Sequence, residues 1–172
     1  MKSTLTENFR GKAPPLIKVS KLPPHRAFDI DAKPGDLIEI FGGVYHHWAV
    51  FIGGNEVIHL IPSSKGGDLL EVLAFLGSSD ATVRRQRIWE VVGSNRFQVN
   101  NLLDDKYQPL DPSTIVSNAV KMVGQERPYN VATHNSEHFV TELRYGKPES
   151  RQASKFVGAA LFSAFRKNKD KE

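Results

Sequence analysis

The sequence predicts an α+β fold in which an antiparallel β-sheet packs against helices, and three observations carry that prediction. Two apolar runs, Trp48 to Ile52 and Val57 to Ile61, are joined through Gly53-Gly54-Asn55, which is hairpin-turn chemistry. Ser136, Val140 and Leu143 recur at i, i+4 and i+7 with Phe139 beside them, and Gly146 followed by Pro148 supplies a stop, so an amphipathic helix begins near Ser136. Pro112-Ser113 opens a further helix through about Val123, with Ile115, Ala119, Met122 and Val123 at helical spacing before Gly124.

In chain order, residues 1–33 read as an irregular, basic leader marked by Pro14, Pro15, Pro23 and Pro24. A folded body over 34–148 starts at the turn Pro34-Gly35-Asp36, followed by a strand from Leu37 to Phe41 that ends at Gly42-Gly43. After the hairpin, Asp68 to Leu76 reads as a short helix or ordered loop. Thr82 to Val92 reads as one strand with Val83, Arg85, Arg87 and Trp89 on one parity, and Asn100-Asn101 with Asp104 to Tyr107 forms a polar connection. Residues 149–172 form a short amphipathic, basic C-terminal segment. Its stripe of Phe156, Val157, Ala160, Leu161, Ala164 and Phe165 suits either an interfacial helix or a small docking helix.

The hairpin loop decides whether His47 and His59 cooperate, because side chains alternate faces along a strand. A three-residue loop, or a bulge with the same effect, sets Ala49 opposite His59 and leaves both histidines on one face. A plain two-residue loop separates them. Tyr45 shares the parity of His47. Ser136 stands where a helix begins, and there unpaired N–H groups and a partial positive charge stabilise an anionic nucleophile or a developing oxyanion. A nucleophile, a base and an orienting group are thereby suggested, although Ser136 equally suits a helix cap. Helical phase sends Glu137 and Arg144 to solvent. His46, His134 and His138 are turned away from the site by parity or phase.

With 172 residues, 40% hydrophobic and 24% charged, the chain suits one soluble domain with a real core. Its longest charge-free apolar stretch, Phe156 to Phe165, is ten residues and too short to span a bilayer as a helix. No apolar stretch follows the basic N-terminal residues, so no secretory signal is expected. The absence of cysteine excludes disulfides and thiolate metal sites and fits a cytoplasmic setting. No HExxH spacing points to a metal, and no nucleic-acid motif is present. A net charge of +4, concentrated in the two ends, favours an anionic membrane surface as partner.

The segments PGDLIEIF (34–41), YHHWAVFIG (45–53), VIHL (57–60), QVNN (98–101), DDKYQPL (104–110), VGQE (123–126) and NSEHFVTELRYG (135–146) occur in this order. Together they resemble the phospholipase A and acyltransferase family, close to lecithin retinol acyltransferase among the permuted relatives of papain-like and NlpC-type thiol hydrolases. The resemblance implies a circularly permuted papain-like fold with the nucleophile at a helix N-terminus. It also implies acyl transfer from glycerophospholipids such as phosphatidylcholine and phosphatidylethanolamine, through a thioester and without a cofactor, at a peripherally contacted membrane. His47 maps to the family's catalytic base, His59 to the histidine that orients it, and Ser136 to the cysteine nucleophile. Tyr45, by its parity, joins the Ser136 N–H as an oxyanion donor. Serine in the cysteine position, whether a deliberate exchange or a natural form, predicts lipid binding with little or no turnover. A peptidase or amidase of the wider group and a non-catalytic membrane- or protein-binding module are the competing readings.

Overall fold

The computed structural model describes residues 30–43, 45–62 and 79–169. The element expected at 68–76 and most of the leader lie outside them.

Six strands form one antiparallel sheet: β1 Leu37–Gly42, β2 Tyr45–Gly53, β3 Glu56–Pro62, β4 Ser79–Arg87, β5 Arg96–Val99 and β6 Glu126–Tyr129, in the order β5-β1-β2-β3-β4-β6. The central hairpin takes the bulged form of the expected register. Ala49 faces His59, Val50 faces Ile58 and Phe51 faces Val57; a shift at Ile52 then brings Gly53 opposite Glu56. The tip is Gly54-Asn55, both in the left-handed region with φ of 58° and 60°, which suits the twist of the flanking strands. The bulge absorbs the odd residue, so His47 and His59 keep a common parity.

The expected strand from Thr82 to Val92 is corrected. β4 ends at Arg87, and a one-turn helix α1, Ile88–Val92, follows. Ile88 and Val92, four residues apart, are both buried in a core with Ile38, Ile40, Phe51, Val57 and Phe97, and a continuing strand would have put that spacing to different use. Two short strands, β5 and β6, were not expected; they pair with β1 and with the start of β4.

Helix α2, Pro112–Met122, is capped by Asp111, whose carboxylate accepts the Ser113 N–H. Helix α3, Ser136–Tyr145, ends at Gly146 with a left-handed φ of 69°, as the glycine stop predicts. Helix α4 spans Arg151–Lys169. Phe139, Val140 and Leu143 of α3 and Ile115 and Ala119 of α2 pack with Leu37, Trp48, Val50, Ile58, Leu60 and Val83, forming a core on one sheet face. Ala49, Phe51 and Val57 point into the α1 core on the other, where Ile30 also packs. The expected α+β class, antiparallel sheet against helices, holds.

Candidate active site

Ser136 is the first residue of α3, and the residue before it explains why the helix starts there. Asn135 is extended, its side chain accepts the His138 N–H at 2.9 Å, and His138 Nδ1 accepts the Asn135 N–H at 3.2 Å. This reciprocal cap satisfies two otherwise orphaned donors. The cap is therefore Asn135 and not Ser136, and His138 has a structural task at the helix start.

Ser136 is fully buried. Its Oγ lies 2.9 Å from the Tyr45 hydroxyl and accepts the Trp48 N–H at 3.2 Å. Tyr45 in turn lies 2.6 Å from the Tyr129 hydroxyl, a residue the sequence reading missed because β6 is short and polar. Burial pushes the Tyr45 phenol above its ordinary pKa, against the opposing effect of hydrogen bonds with Ser136 and Tyr129, so it stays a neutral donor.

Trp48 directly follows His47, so the α3 start is pinned to the stretch of β2 that carries the first histidine. The bonds of the Ser136 hydroxyl run to Tyr45 and Trp48 rather than to a His47 ring nitrogen. His47 Nε2 lies 2.7 Å from His59 Nδ1, with the rings edge-on at 76°. His59 Nε2 lies 2.9 Å from Gln86 Oε1.

The tautomers follow from the far end of this chain. Gln86 Oε1 can only accept, so His59 Nε2 carries a proton and His59 Nδ1 presents a lone pair. His47 Nε2 must then donate, which leaves the lone pair of that ring on His47 Nδ1. Burial, reinforced by His59, lowers the His47 pKa to about 3. Burial lowers that of His59 to about 4, with the Gln86 bond opposing and Arg84 assisting. Both rings are neutral at pH 7, as the tautomer chain requires. The mixed polar and apolar pattern of β4 does not mark Gln86 in the sequence. The register sets Arg84 opposite His59 and Gln86 opposite Val57, so the even parity is the one that faces the histidine.

Two expected orientations are corrected. Glu137 is 1% exposed and accepts hydrogen bonds from Ser150 Oγ at 2.6 Å and the Arg151 N–H at 2.9 Å. Arg144 is also buried, forked onto Asp104 at 2.8 and 2.9 Å and donating to the Gly35 carbonyl at 2.8 Å. Helical phase identifies the face of α3 that meets the sheet, but the start of α4 and the connection around Asp104 cover flanks that phase alone assigns to water. His46 bonds Glu39 at 2.7 Å, and Glu39 also accepts from Gln98 and Asn100, so part of the QVNN segment serves to hold a buried carboxylate. Among the described residues, no cluster of three His, Asp or Glu suits a metal ion.

The lecithin retinol acyltransferase family matches residues 30–149, well over half of the chain. The chain belongs to that family. It is 48% identical to human phospholipase A and acyltransferase 4 over 127 residues, covering 73% of this chain and 77% of that protein. It is 45% identical to human phospholipase A and acyltransferase 3 over 132 residues, 76% of this chain and 81% of that one. Human phospholipase A and acyltransferase 2 is 43% identical over 122 residues, 70% and 75% of the two chains. The segment shared with the lecithin retinol acyltransferase family contains Tyr45, His47, His59, Gln86 and Ser136 and stops just before α4. Among the described residues, no helix is long and apolar enough to cross a membrane.

Proposed function

We propose that this chain is a glycerophospholipid acyl-transfer protein in which Ser136 occupies the nucleophile's position, His47 is the general base, His59 orients it and Tyr45 assists the oxyanion. The observation that carries this reading is the Ser136 hydroxyl, at the first turn of α3, bonded to the β2 backbone one residue beyond His47. The acyl-transfer unit spans residues 34–148, and the basic ends and α4 bring it to an anionic membrane surface on the cytoplasmic side.

The chemistry follows from the tautomers. The nucleophile attacks the ester carbonyl carbon and gives its proton to His47 Nδ1; the oxyanion is met by the Tyr45 hydroxyl and the Ser136 N–H at the positive end of α3. Collapse expels the lysophospholipid alkoxide, which takes the proton back from His47, and leaves an acyl-enzyme. Water then yields a free fatty acid, or the amine of phosphatidylethanolamine yields an N-acyl product.

With serine in place, this sequence stalls at its first step. A base whose pKa lies near 3 has little power to draw a proton from an alcohol. A thiol at the same helix start ionises much more readily, and its thiolate would raise the His47 pKa in return. A pocket shaped for sulfur also leaves the shorter oxygen misplaced, and an error of about 1 Å costs on the order of a hundredfold. The Ser136 form accordingly binds lipid with little or no turnover.

Incubation of the chain and of Ser136→Cys with phosphatidylcholine and phosphatidylethanolamine vesicles tests this. The Cys form is expected to release fatty acid or form N-acyl product at least about a hundredfold faster than the serine form, and His47→Ala in the Cys form to abolish the gain. A Cys form inert toward both lipids sinks the reading.

A further inference from the structure

Strand β2 reaches further than its partner on one side. The β2–β3 ladder covers Ala49 to Gly53, whereas on the other edge β1 pairs β2 down to Tyr45. The backbone groups of His46 and Trp48 on the β3 side thus fall outside the ladder and need other partners. Two helix starts supply them. Ser136 Oγ takes the Trp48 N–H, and Gln152, in the first turn of α4, engages both polar groups of His46: its Oε1 accepts the His46 N–H at 3.0 Å and its Nε2 donates to the His46 carbonyl at 3.1 Å. A side-chain amide here imitates the paired residue of a missing strand.

The second Nε2 hydrogen of Gln152 reaches Glu137 Oε2 at 3.2 Å. Glu137 also accepts the N–H groups of Arg151 and Gln152 and the Ser150 hydroxyl, so its carboxylate sits at the positive end of α4. Ser150 Oγ accepts from Asn135 at 3.1 Å and caps α4 through the Ala153 N–H at 3.0 Å. The residues on either side of Ser136, and the residue before His47, are therefore tied to one turn of chain, 150–152. That turn lies outside the segment matched to the family.

We propose that Gln152 is a positioning residue for acyl transfer: by bridging the His46 backbone and the Glu137 carboxylate, it fixes the spacing between the strand that carries His47 and the helix start that carries Ser136. The proposal rests on the functional reading above. Nucleophile and base come from separate elements, and at His46 to Trp48 β2 is paired with β1 on one side only, its β3 side lying beyond the ladder. Removing the bridge frees that end of β2 to shift, and a shift near 1 Å is enough to lower catalysis on the order of a hundredfold.

Gln152→Met, of similar length without an amide, is compared with its parent in the Ser136→Cys form, where the introduced thiol is the sole cysteine. Two readouts are taken: kcat and KM on phosphatidylcholine vesicles, and the pH dependence of iodoacetamide alkylation of the thiol, which needs no turnover. The expected result is a fall in kcat of roughly ten- to a hundredfold with KM changed less than about twofold, and a rise of about one unit in the apparent thiol pKa as the imidazole moves away. Unchanged kcat, a change confined to KM, or an unmoved alkylation profile overturns the proposal. If the Cys parent is inert on lipid, the functional reading fails separately, and the alkylation profile alone decides for or against the spacing role. Should Gln152→Met lower the folded fraction by circular dichroism, Gln152→Asn, which retracts the amide by one methylene, is judged by the same criteria.

Discussion

His59 illustrates how a buried, hydrogen-bonded imidazole limits stability at low pH. It is 2% exposed, wedged between His47 and Gln86, and its pKa is lowered to about 4 from 6.5. Between those two values the unfolded chain binds a proton at this residue that the folded chain refuses, so stability rises with pH across the window. Relative to its level above pH about 6.5, stability is lost as the pH falls toward about 4 and then levels off, the loss reaching about 2 kcal/mol at pH 5. Urea unfolding at pH 7 and pH 5 measures this directly. The parent is expected to lose about 2 kcal/mol more than His59→Gln over that interval. Equal losses would mean that the ring accepts a proton within the fold.

Among the elements, α3 shows why tertiary cover matters. Its inner face is held by Phe139, Val140 and Leu143, while Arg144 fastens an outer flank to Asp104 and the Gly35 carbonyl. Arg144→Ala removes the fork and leaves Asp104, but that carboxylate is 41% exposed and can regain water. The expected loss is therefore about 2 kcal/mol, below the 3–5 kcal/mol typical of a fully buried broken pair. Arg144→Lys recovers little of it because a lysine cannot form the fork. Guanidinium unfolding of the three forms checks both statements, and a neutral Arg144→Ala would assign α3 docking to its apolar face alone. The same contrast explains what was legible beforehand. The hairpin, the histidine parity and the α3 boundaries are encoded by turn residues, alternation and a glycine stop, all local signals. The four-residue strands β5 and β6 carry no such pattern, since each exists by pairing with an already formed edge. Gln86, Tyr129 and the burial of Glu137 depend on which distant segment lies against them, and no spacing within their own element reveals it.

At the scale of the whole molecule, the sheet separates two cores, and the candidate site lies at the end of β2 beyond the β3 ladder. His47 and His59 share the parity of Ala49, Phe51 and Val57, which face the α1 core, whereas α3 packs on the opposite face. Ser136 meets β2 at the edge left open beyond the β3 ladder, through the Trp48 N–H next to His47. The start of α4 closes the same edge, and further along it exposes Val157, Phe162 at 69%, Lys155 and Arg166. A helix that displays apolar and cationic groups together suits a lipid interface, and under the proposed function it holds the open edge of the sheet close to its substrate surface. Attraction by its charges and those of the terminal segments is screened over about 10 Å at roughly 0.1 M salt, while burial of Phe162 in the acyl region is not. Co-sedimentation with vesicles containing anionic lipid is thus expected to weaken as salt rises, and Phe162→Asp to weaken it further at every salt concentration, by roughly tenfold or more. If Phe162→Asp binds as the parent does while the salt dependence persists, contact is purely electrostatic and α4 does not enter the lipid. If neither change matters, the membrane is not what this face meets.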